Sequence, residues 1–352
     1  MTSRSTRVAI LTTYEGPEYV GGVETFNHQL QEVLGEVEIF AYSPRNRYGP
    51  RWRLDRIGLE HPYRALRVTR SFLRRHKTRP FDIVVANGLY GWPLSIWPTR
   101  IPMVLVYHFT MAGLAQNALH LRGDQFTTGR VTALFDRIAG IGKEVVAVSG
   151  PVLHEMEEFY GLSGRIIPNG VDTTLFRRVD KSVARKKLGL PLEGRIGLFV
   201  GRTEYAKGFD ILLDVARAMQ DILFVVLGSY VPIEPNIQVL ERVPHSSMPL
   251  WYSAADFFFL PSRYEGFNLS ILEALSCDLP IVVSQAAYPF SQDPARFGGV
   301  VRSIHPQRFI EAIGEVLADA SSFDTREAIV TGYSSEVFSE NWRGLVDALL
   351  EK

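Results

Sequence analysis

Short hydrophobic runs alternate with amphipathic segments along the whole chain of 352 residues. Each run is rich in Val and Ile and ends at Gly, Ser, Asn or Pro. Such runs are typical of strands that are buried on both faces of a parallel sheet. The predicted strands are 7–13, 37–43, 81–88, 102–109, 144–150 and 165–171 in the first half, then 195–202, 222–229, 237–243, 255–262, 280–285 and 298–303.

The segments between these strands have helical periodicity, for example at 23–36 and 149–160. Alternation of strand and helix predicts an α/β protein with two doubly wound, Rossmann-like sheets. We place the first domain at 1–175 and the second at 176–333, with the charged stretch 177–195 as a linker. Ligands of such sheets bind beyond the carboxyl ends of the strands, so we expect the site in a central cleft that the two domains face.

Composition excludes several classes of protein. The 38 Lys and Arg balance 38 Asp and Glu, and 46% of residues are hydrophobic, which is typical of a folded globular protein. We find neither a nucleic-acid-binding motif nor base-stacking aromatics, so no nucleic-acid partner is expected. The single cysteine, Cys277, excludes an internal disulfide and fits the cytoplasm. We find no secretory signal, and no run of apolar residues is long enough to span a membrane.

Two glycines, Gly21 and Gly22, follow the first predicted strand and precede a helix. A helix that begins at such a turn presents free N–H groups that attract phosphate. The alternative is a tight turn with no ligand.

Two cations, Arg202 and Lys207, follow the strand at 195–202. An Arg and a Lys near one helix start suit a diphosphate. From this segment alone, the interpretation as two solvated cations of a surface loop is favoured.

A loop and a helix follow the strand at 255–262, with Glu265 before the predicted helix 268–276 and Glu273 within it. The N–H groups of 267–270 would form a helix N-terminus open to an anion. Glu265 would reach the cleft, and Glu273 would accept hydrogen bonds from a pair of sugar hydroxyls. By periodicity alone Glu273 is also readable as an exposed helix residue.

These motifs together resemble the retaining glycosyltransferases of family 4, whose fold is the two-domain GT-B architecture. EGFNLSILE (265–273) is similar to the E-x7-E pattern of that family, preceded by PS and followed by EALSCDLPIVVS. GGVETF (21–26), RIIPNGVDTTLF (165–176) and GRTEYAKGFDILLDVA (201–216) match other family segments, in family order.

The resemblance implies an enzyme that moves a sugar from a nucleotide donor to an acceptor hydroxyl. Arg202 and Lys207 would neutralise the donor diphosphate, Glu273 would bind the ribose, and Glu265 would contact the transferred sugar. No organic cofactor is implied. The chain lacks the D-x-D pair of metal-dependent transferases, so we expect no metal. The alternatives are a nucleotide-sugar epimerase or hydrolase of the same fold, and a pseudoenzyme that only binds nucleotide-sugars.

The resemblance also assigns residues of lesser weight. Gly21 and Gly22 would lie near the diphosphate from the first domain, and His108 would lie near the anomeric carbon, although a His at a strand end is more often structural. In relatives a last helix returns to the first domain, so we assign 334–352 there. The backbone amides expected to hold phosphate and sugar are those of Gly266, Phe267, Asn268 and Leu269.

Three departures from the family pattern bear on the donor. Asn268 and Asp278 occupy positions where the family usually has Gly. After Ser284 the small-residue donor loop that ends in Pro-Glu is replaced by QAAYPFSQDPARFGG (285–299). The donor base, the donor sugar and the linkage therefore stay open.

The zero net charge conceals a basic stretch at 45–79, which has twelve Lys and Arg but only two acids. A 100° step along 63–78 puts the basic residues on one arc and the apolar ones on the other. One interpretation is a crossover helix with a solvated basic face. The other is docking on an anionic membrane, with Trp52 and Tyr63 at the interface, as expected for a lipid-linked acceptor. We thus expect the acceptor among glycans, lipid-linked sugars and small molecules, and the protein in the cytoplasm or on the inner face of the membrane.

Overall fold

Two compact units make up the protein in a computed structural model, which describes residues 6–13, 21–42, 58–97, 99–117, 123–229, 234–319, 323 and 325–351. The first unit combines Met1–Asn169 with Phe338–Lys352, and the second is Gly170–Val337. Each unit has one parallel six-stranded sheet. The predicted α/β class with two doubly wound sheets is confirmed.

The sheet of the first unit has the order β2-β1-β3-β4-β5-β6. Every residue of β3 and β4 is buried, which explains their unbroken apolar sequences. The strands are β1 (Arg7–Thr12), β2 (Glu36–Ala41), β3 (Ile83–Asn87), β4 (Met103–Tyr107), β5 (Glu144–Ala147) and β6 (Arg165–Ile166). The helices are α1 (Gly22–Val33), α2 (Glu60–Thr78), α3 (Trp92–Ile96), α4 (Met111–Asn117), α5 (Gly123–Gly140) and α6 (Gly150–Glu155), which continues as a π-helical turn over Met156–Tyr160.

The sheet of the second unit has the order β12-β11-β10-β7-β8-β9. Three consecutive phenylalanines, Phe257, Phe258 and Phe259, fill both of its faces and are fully buried. The strands are β7 (Arg195–Val200), β8 (Ile222–Leu227), β9 (Ile237–Leu240), β10 (Phe257–Leu260), β11 (Ile281–Ser284) and β12 (Gly298–Val301). The helices are α7 (Lys181–Leu188), α8 (Phe209–Ala218), α9 (Met248–Ala254), α10 (Leu269–Ser276), α11 (Pro306–Ala318) and α12 (Arg326–Tyr333).

The predicted linker at 177–195 is wrong, because α7 lies inside it and packs in the second unit. Arg185 of α7 is buried and binds Asp256 through an Nη2–Oδ2 contact of 2.8 Å. The Ile196 N–H donates to the same Oδ2 at 2.7 Å. The charge of Arg185, which suggests a solvated linker, is thus neutralised by a buried carboxylate.

The last helix, α13 (Ser335–Leu350), returns the chain to the first unit. Phe338 and Trp342 are buried against Phe26 of α1, at ring-centroid distances of 5.8 and 5.6 Å. Arg343 donates from Nε to the Val33 carbonyl at the end of α1. The amphipathic pattern of this helix therefore arises from packing on α1.

Candidate active site

Lys207 and Glu265 lie together at the carboxyl ends of β7 and β10. The Lys207 Nζ is 2.6 Å from Glu265 Oε1, and both side chains are largely buried. Ser262 donates its hydroxyl to the same carboxylate oxygen at 2.7 Å. A desolvated ion pair attracts strongly, and loss of one partner is costly because it leaves the other charge uncompensated. Lys207 is therefore no solvated loop cation.

Backbone geometry holds the two loops of this pair against each other. Gly208 has φ +70°, and a Cβ there would lie 2.0 Å from the Pro261 carbonyl oxygen. Only glycine permits so close an approach in that conformation. Arg263 donates from Nη1 and Nη2 to the two carboxylate oxygens of Asp210, at 2.7 Å each, and its guanidinium lies 3.5 Å from the centroid of the Tyr205 ring.

Arg202 does not join this pair. Its side chain is 70% exposed and binds Glu204 at 3.0 Å. The two cations that the sequence places together are thus in different surroundings, one buried on a carboxylate and one in solvent. Arg202 thus has the solvated position of the alternative interpretation.

Glu273 is buried in α10, so it is not an exposed helix residue. The Tyr252 hydroxyl donates to its Oε2 at 2.6 Å, and His245 Nε2 lies 3.2 Å from its Oε1. The hydrogen bond to Glu273 raises the pKa of His245, and the edge of the Phe176 ring packs on the imidazole at 5.3 Å. The sequence does not predict that Tyr252 and His245 bind Glu273, since they lie 21 and 28 positions away from it.

The N-terminus of α10 is only partly open. Asn268 is its N-cap, and the Asn268 side chain accepts the Ser270 N–H at 2.9 Å. The expectation that the Ser270 N–H is available to an anion is therefore wrong. Asn268 supplies what glycine cannot, a side-chain cap. Gly266, Phe267 and Leu269 lie at the same helix start, with the Phe267 side chain buried.

Asp278, the other departure from the family pattern, has φ +54° just after α10. This left-handed conformation is one that glycine adopts without strain, whereas an Asp does so at some cost. The Asp278 carboxylate accepts the Arg326 N–H at 3.3 Å, which ties it to the start of α12.

The segment after β11 is held by an aromatic cluster. Phe290 is buried and contacts the rings of Tyr288, Phe297 and Tyr333 at centroid distances of 5.3, 5.2 and 5.0 Å. The cluster also reaches Phe267 at 6.4 Å. Packing of this kind gives the segment a fixed shape next to the start of α10.

His108 lies just beyond β4 in the first unit. Its Nε2 is 3.1 Å from Asn87 Oδ1, and the Phe26 ring packs edge-on against the imidazole at 4.6 Å. Burial lowers the pKa of His108 to about 3, so the ring is neutral near pH 7. Asn87 is a further residue that we did not expect here.

Gly21 and Gly22 lie at the exposed start of α1, where Gly21 is the N-cap. Among the described residues, no atom lies within 4 Å of a Cβ built on Gly22. The Glu24 carboxylate lies 2.7 Å from a Cβ built on Gly21. This helix N-terminus thus has an acidic side chain of its own nearby, which would compete with a phosphate.

Residues 58–79 of the basic stretch are described, and residues 45–57, with Trp52, lie outside the described residues. A groove of about 570 Å³ is lined by Trp97 and by residues of α2, among them Tyr63, Leu66 and Leu73. Arg64 forms an ion pair with Glu60, and Arg75 forms one with Glu38. The four exposed cations of the groove form no ion pair within the described part of the chain; they are Arg67, Arg70, Arg74 and Lys77.

Metal ligands and membrane spans were sought only among the described residues. No three His, Cys, Asp or Glu side chains come together there as a metal site would require. Within the same residues, no helix combines the length and the apolar character needed to cross a membrane. The expectation that no metal takes part stays a prediction.

Two family models match the chain. Residues 20–175 match Glycosyltransferase Family 4, and residues 194–319 match Glycosyl transferases group 1. The D-inositol 3-phosphate glycosyltransferase of Mycolicibacterium gilvum is 31% identical, over 86% of this chain and 72% of the relative. The same-named protein of Acidothermus cellulolyticus is 25% identical, over 98% and 89%.

Solved structures show the same fold. Sucrose-phosphate synthase of Thermosynechococcus elongatus has a TM-score of 0.84 and 20% identity, with 98% of this chain and 99% of that chain covered. HepE of Anabaena, solved in complex with UDP-glucose, has a TM-score of 0.71 and 17% identity, with 97% and 99% covered. Both are structures of the GT-B type. Given these matches in sequence and fold, the chain belongs to glycosyltransferase family 4 and is a glycosyltransferase.

Proposed function

We propose that the protein transfers a sugar from a nucleoside diphosphate donor to an acceptor hydroxyl, without a metal ion and with retention of anomeric configuration. The observation that carries the proposal is the pair of buried carboxylates flanking the start of α10, Glu265 on Lys207 and Glu273 on Tyr252. HepE and its complex with UDP-glucose support a donor of this class.

Lys207 would shift from Glu265 to the diphosphate when the donor binds. The departing nucleoside diphosphate carries negative charge, and a fixed cation in a desolvated site stabilises that charge as it develops. Arg202, now exposed on Glu204, would add a second cation by a side-chain rotation. The helix N-terminus at Gly266, Phe267, Asn268 and Leu269 would contribute amides and its dipole.

Glu265 would hold hydroxyls of the transferred sugar rather than attack its anomeric carbon. Its Oε1 already accepts two strong hydrogen bonds, from Lys207 and Ser262, which lower its nucleophilicity. We therefore assign no covalent intermediate and favour departure and attack on the same face of the sugar. His108 would contact the sugar as a neutral imidazole.

Glu273 would accept hydrogen bonds from the ribose hydroxyls. Its two oxygens are oriented by Tyr252 and His245, so the carboxylate is in place before the nucleotide arrives. Preorganisation of this kind reduces the entropy that binding must lose.

A thermal-shift screen with UDP-, GDP-, TDP- and ADP-sugars tests the donor class, since a ligand that prefers the folded state raises its apparent stability. The donor that gives the largest shift is then supplied with an acceptor panel, with and without a chelator, and the product anomer is read by proton NMR. Inversion, or loss of turnover with the chelator, contradicts the corresponding part of the proposal. Turnover without an acceptor would favour a hydrolase or epimerase, and no turnover with any pair would favour a pseudoenzyme.

We further propose that α2 docks the protein on an anionic membrane, which suits a lipid-linked acceptor. The groove is lined by four exposed cations and by the aromatic side chains of Tyr63 and Trp97, and Trp97 is 58% exposed. A solvated crossover helix does not explain an exposed tryptophan beside the cations. An anionic membrane interface attracts both tryptophan and basic side chains.

A further inference from the structure

Four polar side chains meet at the carboxyl end of the first sheet. Thr12 ends β1, Asn87 ends β3, Asn27 lies on α1, and His108 follows β4. Asn87 Nδ2 donates to Thr12 Oγ1 at 3.0 Å and to Asn27 Oδ1 at 2.8 Å, and Asn27 Nδ2 donates to Thr12 Oγ1 at 3.2 Å. Thr12, Asn27 and Asn87 are all buried, so these bonds have little competition from water.

The Thr12 hydroxyl decides which way the two amides face. A hydroxyl has two lone pairs and one proton, so it can accept two N–H bonds but can donate only one O–H bond. If both amides were reversed, two carbonyl oxygens would face Thr12 Oγ1, and only one of these two O···O contacts could contain the hydroxyl proton. The arrangement with both Nδ2 groups on Thr12 satisfies every contact.

With the Asn87 amide so fixed, its Oδ1 is the atom that faces His108. Oδ1 can only accept, and His108 Nε2 is 3.1 Å away. The proton of the imidazole must therefore be on Nε2. No hydrogen bond joins His108 Nδ1 to any described residue, and the Phe26 ring at 4.6 Å restricts rotation of the imidazole.

We propose that Asn87 is a positioning residue that holds His108 as a neutral imidazole protonated on Nε2, with the Nδ1 lone pair presented to a substrate hydroxyl. The contact with substrate rests on the proposed function, but the tautomer does not. A carboxylate in place of Asn87 would favour the imidazolium, and a substrate hydroxyl proton would then meet a second N–H. An amide, unlike a carboxylate, fixes the tautomer without adding charge.

Nitrogen-15 NMR of the intact protein with labelled histidines tests the tautomer directly. The signals of His108 are identified by their loss in His108→Gln, among the 8 histidines of the chain. At pH 7 we expect Nε2 of His108 to have the shift of a protonated nitrogen and Nδ1 that of an unprotonated one. A protonated Nδ1 at pH 7, in either the other tautomer or the imidazolium, overturns the proposal.

The variant Asn87→Asp gives the second readout. Its carboxylate accepts the same hydrogen bond and adds a negative charge, so His108 should titrate at a higher pH than in the wild type. The control is Thr12→Ser, which keeps the hydroxyl and should leave the tautomer as in the wild type. A folded Asn87→Asp protein with unchanged His108 titration would contradict the assignment, and the wild-type spectrum decides alone if this variant does not fold.

The role of Asn87 and the proposed function can be refuted independently of each other. If the spectrum shows the Nε2 tautomer and no sugar is transferred with any donor and acceptor, positioning by Asn87 holds and the proposed function falls. If sugar is transferred but Nδ1 carries the proton, the proposed function stands and the role of Asn87 falls.

Discussion

The ammonium of Lys207 and the carboxylate of Glu265 are 2.6 Å apart, although the two residues are 58 positions apart in sequence. Each of these proposed donor-binding groups thus neutralises the other. A diphosphate that binds Lys207 must compete with Glu265, and Ser262 remains as a hydrogen-bond donor to the carboxylate when the cation moves away.

Replacement of Lys207 by Ala should lower kcat/KM, with an increase of about 2–4 kcal/mol in the activation free energy that it reports, because the cation would face the charge of the departing diphosphate. Steady-state kinetics with the donor found by the thermal-shift screen measure the loss. The matched control is Lys181→Ala, which removes a lysine bound to Asp256 at 2.8 Å in the same unit. Equal kinetics for Lys207→Ala and the wild type would refute the role of Lys207.

Replacement of Tyr252 by Phe should weaken nucleoside diphosphate binding by roughly 10- to 150-fold, since a hydrogen bond to a charged group contributes about 1.5–3 kcal/mol. The variant keeps the buried ring but leaves Glu273 Oε2 without its donor at 2.6 Å. Calorimetric titration with UDP measures the change. Tyr288→Phe, which loses a hydroxyl bound to the Gln292 carbonyl, serves as control and should bind as the wild type does. An undiminished affinity in Tyr252→Phe would show that Glu273 needs no such orientation.

Asp136 should make the stability of the first unit depend on pH. Burial raises the pKa of its carboxyl to about 7, and hydrogen bonds from the Met111 N–H and the Tyr160 hydroxyl offset only part of that effect. Since the folded pKa exceeds the unfolded value of 3.8, the protonated form favours the folded state. That contribution is complete below about pH 4 and is lost as the pH rises through about 7.

Asp136→Asn removes this titration. The unfolding free energy of the wild type, relative to the variant, should therefore fall by at most about 4 kcal/mol between pH 4 and pH 8. Urea unfolding at a series of pH values measures the difference. A difference that is constant over this range, or that rises with pH, would contradict the protonated state of Asp136.

The cations of the groove should decide membrane binding. Arg70→Gln with Arg74→Gln should reduce partition onto anionic vesicles by roughly 30-fold, at about 1 kcal/mol per basic residue near the surface. Co-sedimentation with vesicles of phosphatidylglycerol measures it, and the binding should weaken with salt. The control is Lys186→Gln with Lys187→Gln, two exposed cations of α7. Wild-type protein that sediments equally with neutral vesicles would refute the electrostatic docking.

Much of the fold is predictable from sequence because strands buried on both faces leave continuous apolar runs. β3 and β4 lie within their predicted ranges, and the predicted helix at 268–276 is α10 within one residue. Where burial is less complete the bounds differ: β6 is exposed and covers only Arg165–Ile166 of the predicted 165–171.

The site is less predictable, because its key contacts join residues far apart in sequence. A pattern of charges identifies Lys207 and Glu265, but no local signal shows that Tyr252 orients Glu273 or that Asn87 faces His108. Charge is also misleading where it is buried, as at Arg185, since sequence alone does not show the Asp256 carboxylate that neutralises it.

The return of α13 to the first unit has a consequence for the order of folding during synthesis. The second unit is inserted, in chain order, between the two parts of the first. Since a ribosome makes the chain from its N-terminus, Phe338 and Trp342 emerge only after the whole second unit has been made. Phe26, which packs on both of them and on His108, therefore lacks the Phe338 and Trp342 rings until then. The surroundings of His108 are therefore completed last, after the proposed donor-binding half has had time to fold.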